Sequence, residues 1–519
     1  MNLSPFVCSV LVASVALSGA AESVPEQPLQ MAAPAASPVA VKNEAFHQAA
    51  LECLKSYRHD ASAIQALLQQ GADVNAVDAE GNNVLMLLIK ATDGHSEYRI
   101  RKELFELLRD AGINLHARNK AGMNAAELNC CLYHPSRYLT TEFDKAGVPI
   151  HSGARLAAAA ALCRVDEVER LLQQNADPNY NRACGLLQCM GILTDGPNPN
   201  EVIVAALLLE AGADPNLSGA SVMSRAVHSD YADQLVPLLL DHGFRVRDYK
   251  AEQHSWWMEH LLGLRHPARI ETANLLICHG AELNDATWYA PYFCRMVKKG
   301  NGSYADMMLA RHLIELGMDA TRRDESGKTA YMLAREKKLG LGIQQILANP
   351  QAVLAELQQK AQAVDESGRT QLMLAVADPH QPAIEVYKWL RAEVDVNARD
   401  AQGRTALFYI NSFCPQKTLK AKLLIEAGAD VDARDAQGRT PLLALPYIHD
   451  LRIPQQQSCV PIIQLLAQAG ADLNAHDNDG LTRLEQMLRR GDALSSHDKE
   501  CVNLLRNLGC TPRPEAPNK

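Results

Sequence analysis

The stretch Leu423-Leu-Ile-Glu-Ala-Gly428-Ala-Asp430-Val-Asp-Ala-Arg434-Asp435-Ala-Gln-Gly438-Arg-Thr440-Pro-Leu-Leu-Ala-Leu445 contains a complete structural instruction. Leu419, Leu423, Leu424 and Ala427 recur at helical spacing and predict an amphipathic helix ending at Ala427. Gly428 supplies the left-handed residue that stops it. Asp435-Ala-Gln-Gly438 has Asp first and Gly fourth, as a type I β-turn prefers. Thr440-Pro441 then sets a hydroxyl N-cap before a proline in the first helical turn, where the missing N–H costs little. The expected order is helix, glycine stop, tight turn, capped helix.

Both halves of this instruction recur. The helix-ending residue returns at Gly71, Gly112, Gly212, Gly243, Gly280, Gly317 and Gly470, with Asn175 in the same place in Asn175-Ala-Asp-Pro-Asn179. A further copy reads Ala392-Glu-Val-Asp395-Val-Asn397, and Gly509 marks the expected end of the last pair. The turn returns as Asp78-Ala-Glu-Gly81, Asp324-Glu-Ser-Gly327, Asp365-Glu-Ser-Gly368, Asp400-Ala-Gln-Gly403 and Asp477-Asn-Asp-Gly480. Gly368, Gly403 and Gly438 lie 35 residues apart, whereas Gly81 to Gly122 and Gly327 to Gly368 span 41.

Asp-x-x-Gly-x-Thr-Pro-Leu, a helix pair and Gly-Ala-Asp-x-Asn-Ala together resemble the ankyrin repeat, whose period is about 33 residues. The resemblance covers residues 45–510 in roughly twelve units and is most specific in residues 324–474. The family's usual histidine after Pro-Leu is missing, Leu443 standing there in the best copy, and insertions such as residues 446–458 lengthen some loops. The resemblance implies an all-α solenoid of helix-turn-helix repeats with short hairpin turns. Such repeats cannot bury an apolar face alone and need neighbours on both sides. The expected domains are a signal peptide at 1–20, a Pro/Ala-rich disordered linker at 21–43 and repeats at 44–349, degenerate in 147–285. A second array with its cap follows at 350–512, then a disordered tail at 513–519. Gly340 and Pro350 interrupt helical pattern between the two arrays and suggest a kink.

Residues 6–17 are apolar, and Ser18 and Ala20 fit the −3 and −1 places of a cleavage site, so we expect export to the periplasm or beyond the cell. An uncleaved anchoring helix is the alternative, although the run is short for a span. The net charge is −9 and no basic stripe stands out, which argues against nucleic acid as partner. Removal of Cys8 would leave twelve of thirteen cysteines, and an oxidising compartment permits disulfides. Cys414 and Cys459, each before the outer helix of successive repeats, are the candidate pair, buried unpaired thiols being the alternative.

Chemistry-bearing motifs are weak. Ser326-Gly-Lys-Thr329 ends like a phosphate-binding loop, but Arg322 stands where the first glycine belongs, and turn plus cap explain the tetrapeptide. Cys130, Cys131 and His134 lack a completing Cys-x-x-Cys for a structural metal site. Glu259-His260 lacks a second histidine four residues on. The sequence therefore predicts no catalytic residues, metal or cofactor.

Aromatic and basic residues are more informative. Three of the four tryptophans fall between Trp256 and Trp288, and Trp256-Trp257 aligns with Trp288-Tyr289 one repeat later, followed by Tyr292 and Phe293. Exposed aromatics on inner helices would anchor a protein partner, so Trp256, Trp288, Tyr289 and Tyr292 are candidate contacts. Alternatively they fill a widened core. Arg323, Arg399 and Arg434, each before a turn aspartate, form a ladder that either meets an acidic partner or pairs between repeats. The expectation is an exported, monomeric, non-enzymatic scaffold that binds an exported protein on its concave face as inhibitor, immunity factor or stabiliser. An enzyme hidden in residues 147–285 and a membrane-tethered array are the competing readings.

Overall fold

The computed structural model describes residues 38–55, 61–92, 102–132, 136–190, 198–263, 266–284, 291–410, 416–445, 458–491 and 494–512. Residues 6–17 and residues 21–37 of the expected linker lie outside them, so the expectations placed there do too, whereas residues 38–43, expected in the linker, open the helix Pro38–Lys55. The described chain is all-helical, with no β-strand among the described residues. No helix among them is long and apolar enough to cross a membrane.

Most of the hairpin turns form because one aspartate organises each, Asn119 taking that place in the turn ending at Gly122. Asp324 Oδ1 accepts the backbone N–H of Ser326 and Lys328 at 3.0 Å each, and the Gly327 N–H reaches the Asp324 carbonyl at 2.8 Å. The same pattern recurs around Asp78, Asp365, Asp400, Asp435 and Asp477. Gly327 has φ +74°, a left-handed conformation that disfavours a Cβ. Thr329, Thr370 and Thr482 then cap the helices that follow. This accounts for Ser326-Gly-Lys-Thr329 without a phosphate, and Lys328 pairs with Glu336 at 2.8 Å.

Successive units are joined by an asparagine clamp. Asn397 Nδ2 donates to the Gly428 carbonyl at 3.0 Å while its Oδ1 accepts the Asp430 N–H at 2.7 Å. Asn75, Asn179, Asn216 and Asn284 do the same toward Gly112, Gly212, Gly243 and Gly317. Each clamp satisfies a carbonyl that a helix end leaves orphaned. Turn tips are also stitched by backbone, Ala401 to Ser367, Ala436 to Gln402 and Asn478 to Gln437, at 2.9–3.0 Å.

Local departures have local causes. Asn175 is left-handed at φ +59°, as its place in the pattern predicts, and Glu393 is forced to φ +57° in a glycine place. The helix expected after Thr440-Pro441 is a single turn over residues 441–444, and Ala406–Tyr409 is a short 3-10 helix. Leu445 precedes Pro446, and a residue before proline disfavours the helical region.

The described residues fall into two compact units, those up to 91 together with 102–114 in one and residue 92 with those from 115 to 512 in the other. In the first, helix Pro38–Lys55 packs on Ser62–Gln69. In the second, inner helices stack from Ala125–Cys130 through Ser152–Ala161 and Tyr180–Cys189 to Ala220–His228 and Ala251–Gly263. The outer helices stack in parallel, from Val165–Gln173 through Asn200–Glu210 and Ala232–Asp241 to Pro267–Cys278. Where a kink was expected, Leu341–Ala348 and Pro350–Ala361 meet at Asn349, whose side chain caps the second helix. Pro350–Ala361 packs on the outer helix Tyr304–Glu315, and Ala383–Arg391 packs on the outer helix Pro267–Cys278. The chain thus turns back on its own outer-helix face. Arg311 reaches Glu356 at 2.6 Å across this junction.

Candidate functional site

Trp256 and Trp257 sit side by side on the inner helix Ala251–Gly263, and helical geometry sends them in different directions. Trp257 is fully buried, donates its indole N–H to Ser224 Oγ at 2.9 Å, and meets Phe244 and Tyr249 edge-on. Trp256 is 48 % exposed. Its ring stacks on His228 of the preceding inner helix Ala220–His228 at 4.3 Å between centroids, and His228 in turn lies 3.7 Å from the His260 ring. His228 Nδ1 is fixed 2.8 Å from the Ser224 carbonyl oxygen. Burial, with His228 and Arg269 nearby, depresses the His260 pKa.

Between these two helices lies an open groove of about 520 Å³ lined by Ala220, Ser221, Ser224, Arg225, Gln253 and Trp256. Arg225 Nη1 donates to the Leu187 carbonyl on the preceding inner helix Tyr180–Cys189 at 2.7 Å, which orients the guanidinium at the groove wall. Hydroxyls, an amide, a guanidinium and an indole face thus converge on one surface. That combination can hold a planar or apolar side chain beside a hydrogen-bond acceptor. His228, Arg225, Ser221, Ser224 and Gln253 were not singled out from sequence, because only the crossing of two helices brings them to Trp256.

The other candidate residues are placed differently. Trp288, Tyr289 and Cys414 lie outside the described residues. Tyr292 is 6 % exposed, and its hydroxyl donates to the Leu262 carbonyl at 3.2 Å, so it belongs to the core and cannot serve as a surface anchor. Tyr292 is the first residue of helix Tyr292–Lys299, and from there its ring reaches the end of the preceding inner helix Ala251–Gly263. Arg323, Arg399 and Arg434 do not pair with the turn aspartates: each donates to the carbonyl of its own turn glycine, Gly327, Gly403 and Gly438, at 2.7–2.9 Å. Arg399 also reaches the Arg434 carbonyl and Arg434 the His476 carbonyl. The aspartates pair instead with the residue after the glycine, as in Arg369–Asp365, Arg404–Asp400 and Arg439–Asp435.

Cys459 is buried at the head of helix Val460–Gln468, and burial, with Cys459 nearby, pushes the Cys501 thiol up to about 12. Cys130 is likewise pushed up to about 12 by burial, while His134 is not among the described residues. Among the described residues no three His, Cys, Asp or Glu side chains are arranged to hold a metal ion. In the degenerate region, burial raises the pKa of Glu201, which accepts the Ser229 hydroxyl at 2.9 Å and ties two helix ends together.

No protein-family model matches the chain, and no curated protein matches it.

Proposed function

We propose that this chain is an exported scaffold of the ankyrin-repeat type that captures a protein partner on the inner-helix face of its array. The carrying observation is Trp256, nearly half exposed over a polar groove and braced from below by the His228 ring. A tryptophan held rigidly by a second ring loses little side-chain entropy on contact, which favours it as an anchor. The aspartate-centred turns, left-handed glycines and helix pairs support the repeat type, since they reproduce the instruction read at residues 423–445. The short apolar run at residues 6–17 supports export. The scaffold would act as inhibitor, immunity factor or stabiliser of an exported protein.

The test is affinity capture with wild-type protein and Trp256→Ala from an extracellular or periplasmic fraction, followed by binding measurements with the identified partner. Loss of at least about 2 kcal/mol in binding is expected at a hot-spot tryptophan. Undiminished binding by Trp256→Ala would remove the groove from the reading. N-terminal sequencing of the mature protein checks the export step, a start at Ala21 or Glu22 being expected.

A further inference from the structure

Charge separates the two faces of the array around the groove. The inner helices Ser152–Ala161, Tyr180–Cys189, Ala220–His228, Ala251–Gly263 and Tyr292–Lys299 carry six basic and two acidic residues. The outer helices Val165–Gln173, Asn200–Glu210, Ala232–Asp241, Pro267–Cys278 and Tyr304–Glu315 carry three basic and ten acidic ones. In a chain of net charge −9 the basic residues are thus concentrated on the inner helices, the layer that carries Trp256, with Lys298 there paired to Asp324 and Arg295 to Glu259. Arg155 and Lys299 are exposed on that face, and Arg225 stands in the groove wall itself.

We propose that the groove takes an extended acidic segment of a protein partner, one apolar side chain lying on Trp256 and a flanking carboxylate on Arg225. This rests on the partner-binding reading and gives the partner's chemistry. Indole and guanidinium line the same groove, so one short segment can meet both. A carboxylate suits the guanidinium because a charge-assisted hydrogen bond is roughly twice as strong as a neutral one. The partner's flanking acids would meet the field of the inner helices, which steers encounter and weakens with salt. Nucleic acid also carries negative charge, but it would need a continuous basic track, and Glu259 interrupts this face by pairing with Arg295.

The full-length protein is titrated with three fluorescein-labelled heptapeptides, Gly-Glu-Glu-Phe-Glu-Glu-Gly and its counterparts with Gln or Lys in place of Glu. Binding is read by anisotropy at low and high NaCl. The acidic peptide is expected to bind about tenfold or more tighter than the Gln peptide, with the Lys peptide weakest and the preference shrinking at high salt. Trp256→Ala and Arg225→Gln are each expected to weaken the acidic peptide about tenfold, Trp256→Phe and Arg225→Lys less so. Circular dichroism of each variant separates loss of the site from loss of fold, and the milder pair carries the test if Arg225→Gln unfolds. Equal binding of the three peptides, binding indifferent to Trp256→Ala, or no binding overturns the acidic-segment proposal. If the partner captured from the fraction still depends on Trp256, the scaffold reading stands without it; if capture is also indifferent to Trp256, both fall.

Discussion

Arg247 and Glu426, 179 positions apart in the chain, form a bidentate ion pair, Nη2 to Oε2 at 2.6 Å and Nη1 to Oε1 at 3.3 Å. The pair lies where the later repeats turn back on the outer helices of the earlier ones. Alone it contributes little, since Arg247 is largely exposed and such pairs stabilise by about 0–1 kcal/mol. Its weight lies in what it borders. Helix Ala383–Arg391 covers helix Pro267–Cys278, and His279 sits at the end of the latter.

The first prediction concerns pH. Burial, with Lys422 and Arg247 facing it, lowers the His279 pKa from its ordinary value to about 4. Glu426 is the acidic group that pairs with Arg247 at this junction. The unfolded chain binds a proton at His279 below about 6.5, and the folded one does not until about 4. The unfolded state therefore holds more protons in that window, and stability falls as pH drops from 6.5 to 4. The loss is up to about 3 kcal/mol from this residue. Thermal unfolding between pH 4 and 7 should show a falling Tm, and His279→Gln should flatten that part of the curve. An equally steep curve for the variant would show that the junction does not sense protons through His279.

The second prediction concerns the clamp. Asn397 makes two hydrogen bonds to the next repeat, while Asp432, in the equivalent place one repeat on, only accepts the Asp472 N–H at 2.9 Å. A carboxylate has no N–H to give the Gly470 carbonyl. Asn397→Ala should cost about 1–2 kcal/mol, and Asp432→Asn should gain about 0.5–1 kcal/mol by adding the missing bond. Urea denaturation of both variants measures the opposing shifts in midpoint. Two shifts of the same sign would mean that the clamps do not couple repeats.

Much of this was legible in the sequence because turns and stops are local. Asp435, Gly438 and Gly428 dictate backbone conformation within four residues, and Asn175 could replace a glycine for the same local reason. The asparagine of Gly-Ala-Asp-x-Asn was visible in the pattern, but its partner lies a whole repeat away. Tyr292 was misassigned because a helix's exposed face depends on the neighbour packed against it. The break at Asn349 was visible as interrupted periodicity, which pointed to a kink. Its consequence, outer helices covering outer helices, depends on side chains more than one hundred positions apart. The Trp256 groove was half legible, the tryptophan by composition and His228 with Arg225 only by helix crossing.

The third prediction concerns Lys420, which is fully buried on the outer helix Lys417–Glu426. Its Nζ donates to the carbonyls of Ala375 at 2.9 Å and Asp378 at 3.2 Å, at the end of the inner helix Gln371–Ala377 one repeat earlier. Arg269 does the same for helix Ala220–His228, reaching the Val227 and Ser229 carbonyls at 2.6 Å each. A cation here satisfies carbonyls that the helix cannot, and it sits at the negative end of the helix dipole. Methionine has similar length and apolar volume but no donor. Lys420→Met should therefore destabilise by about 2–4 kcal/mol, because buried carbonyls lose their partner while packing is kept. Lys420→Arg, which keeps charge and donors, should cost less than the methionine variant. Denaturant midpoints for the two variants decide it: a stable Lys420→Met would mean that water or backbone rearrangement replaces the ammonium, and that the buried cation is not what closes the inner helix.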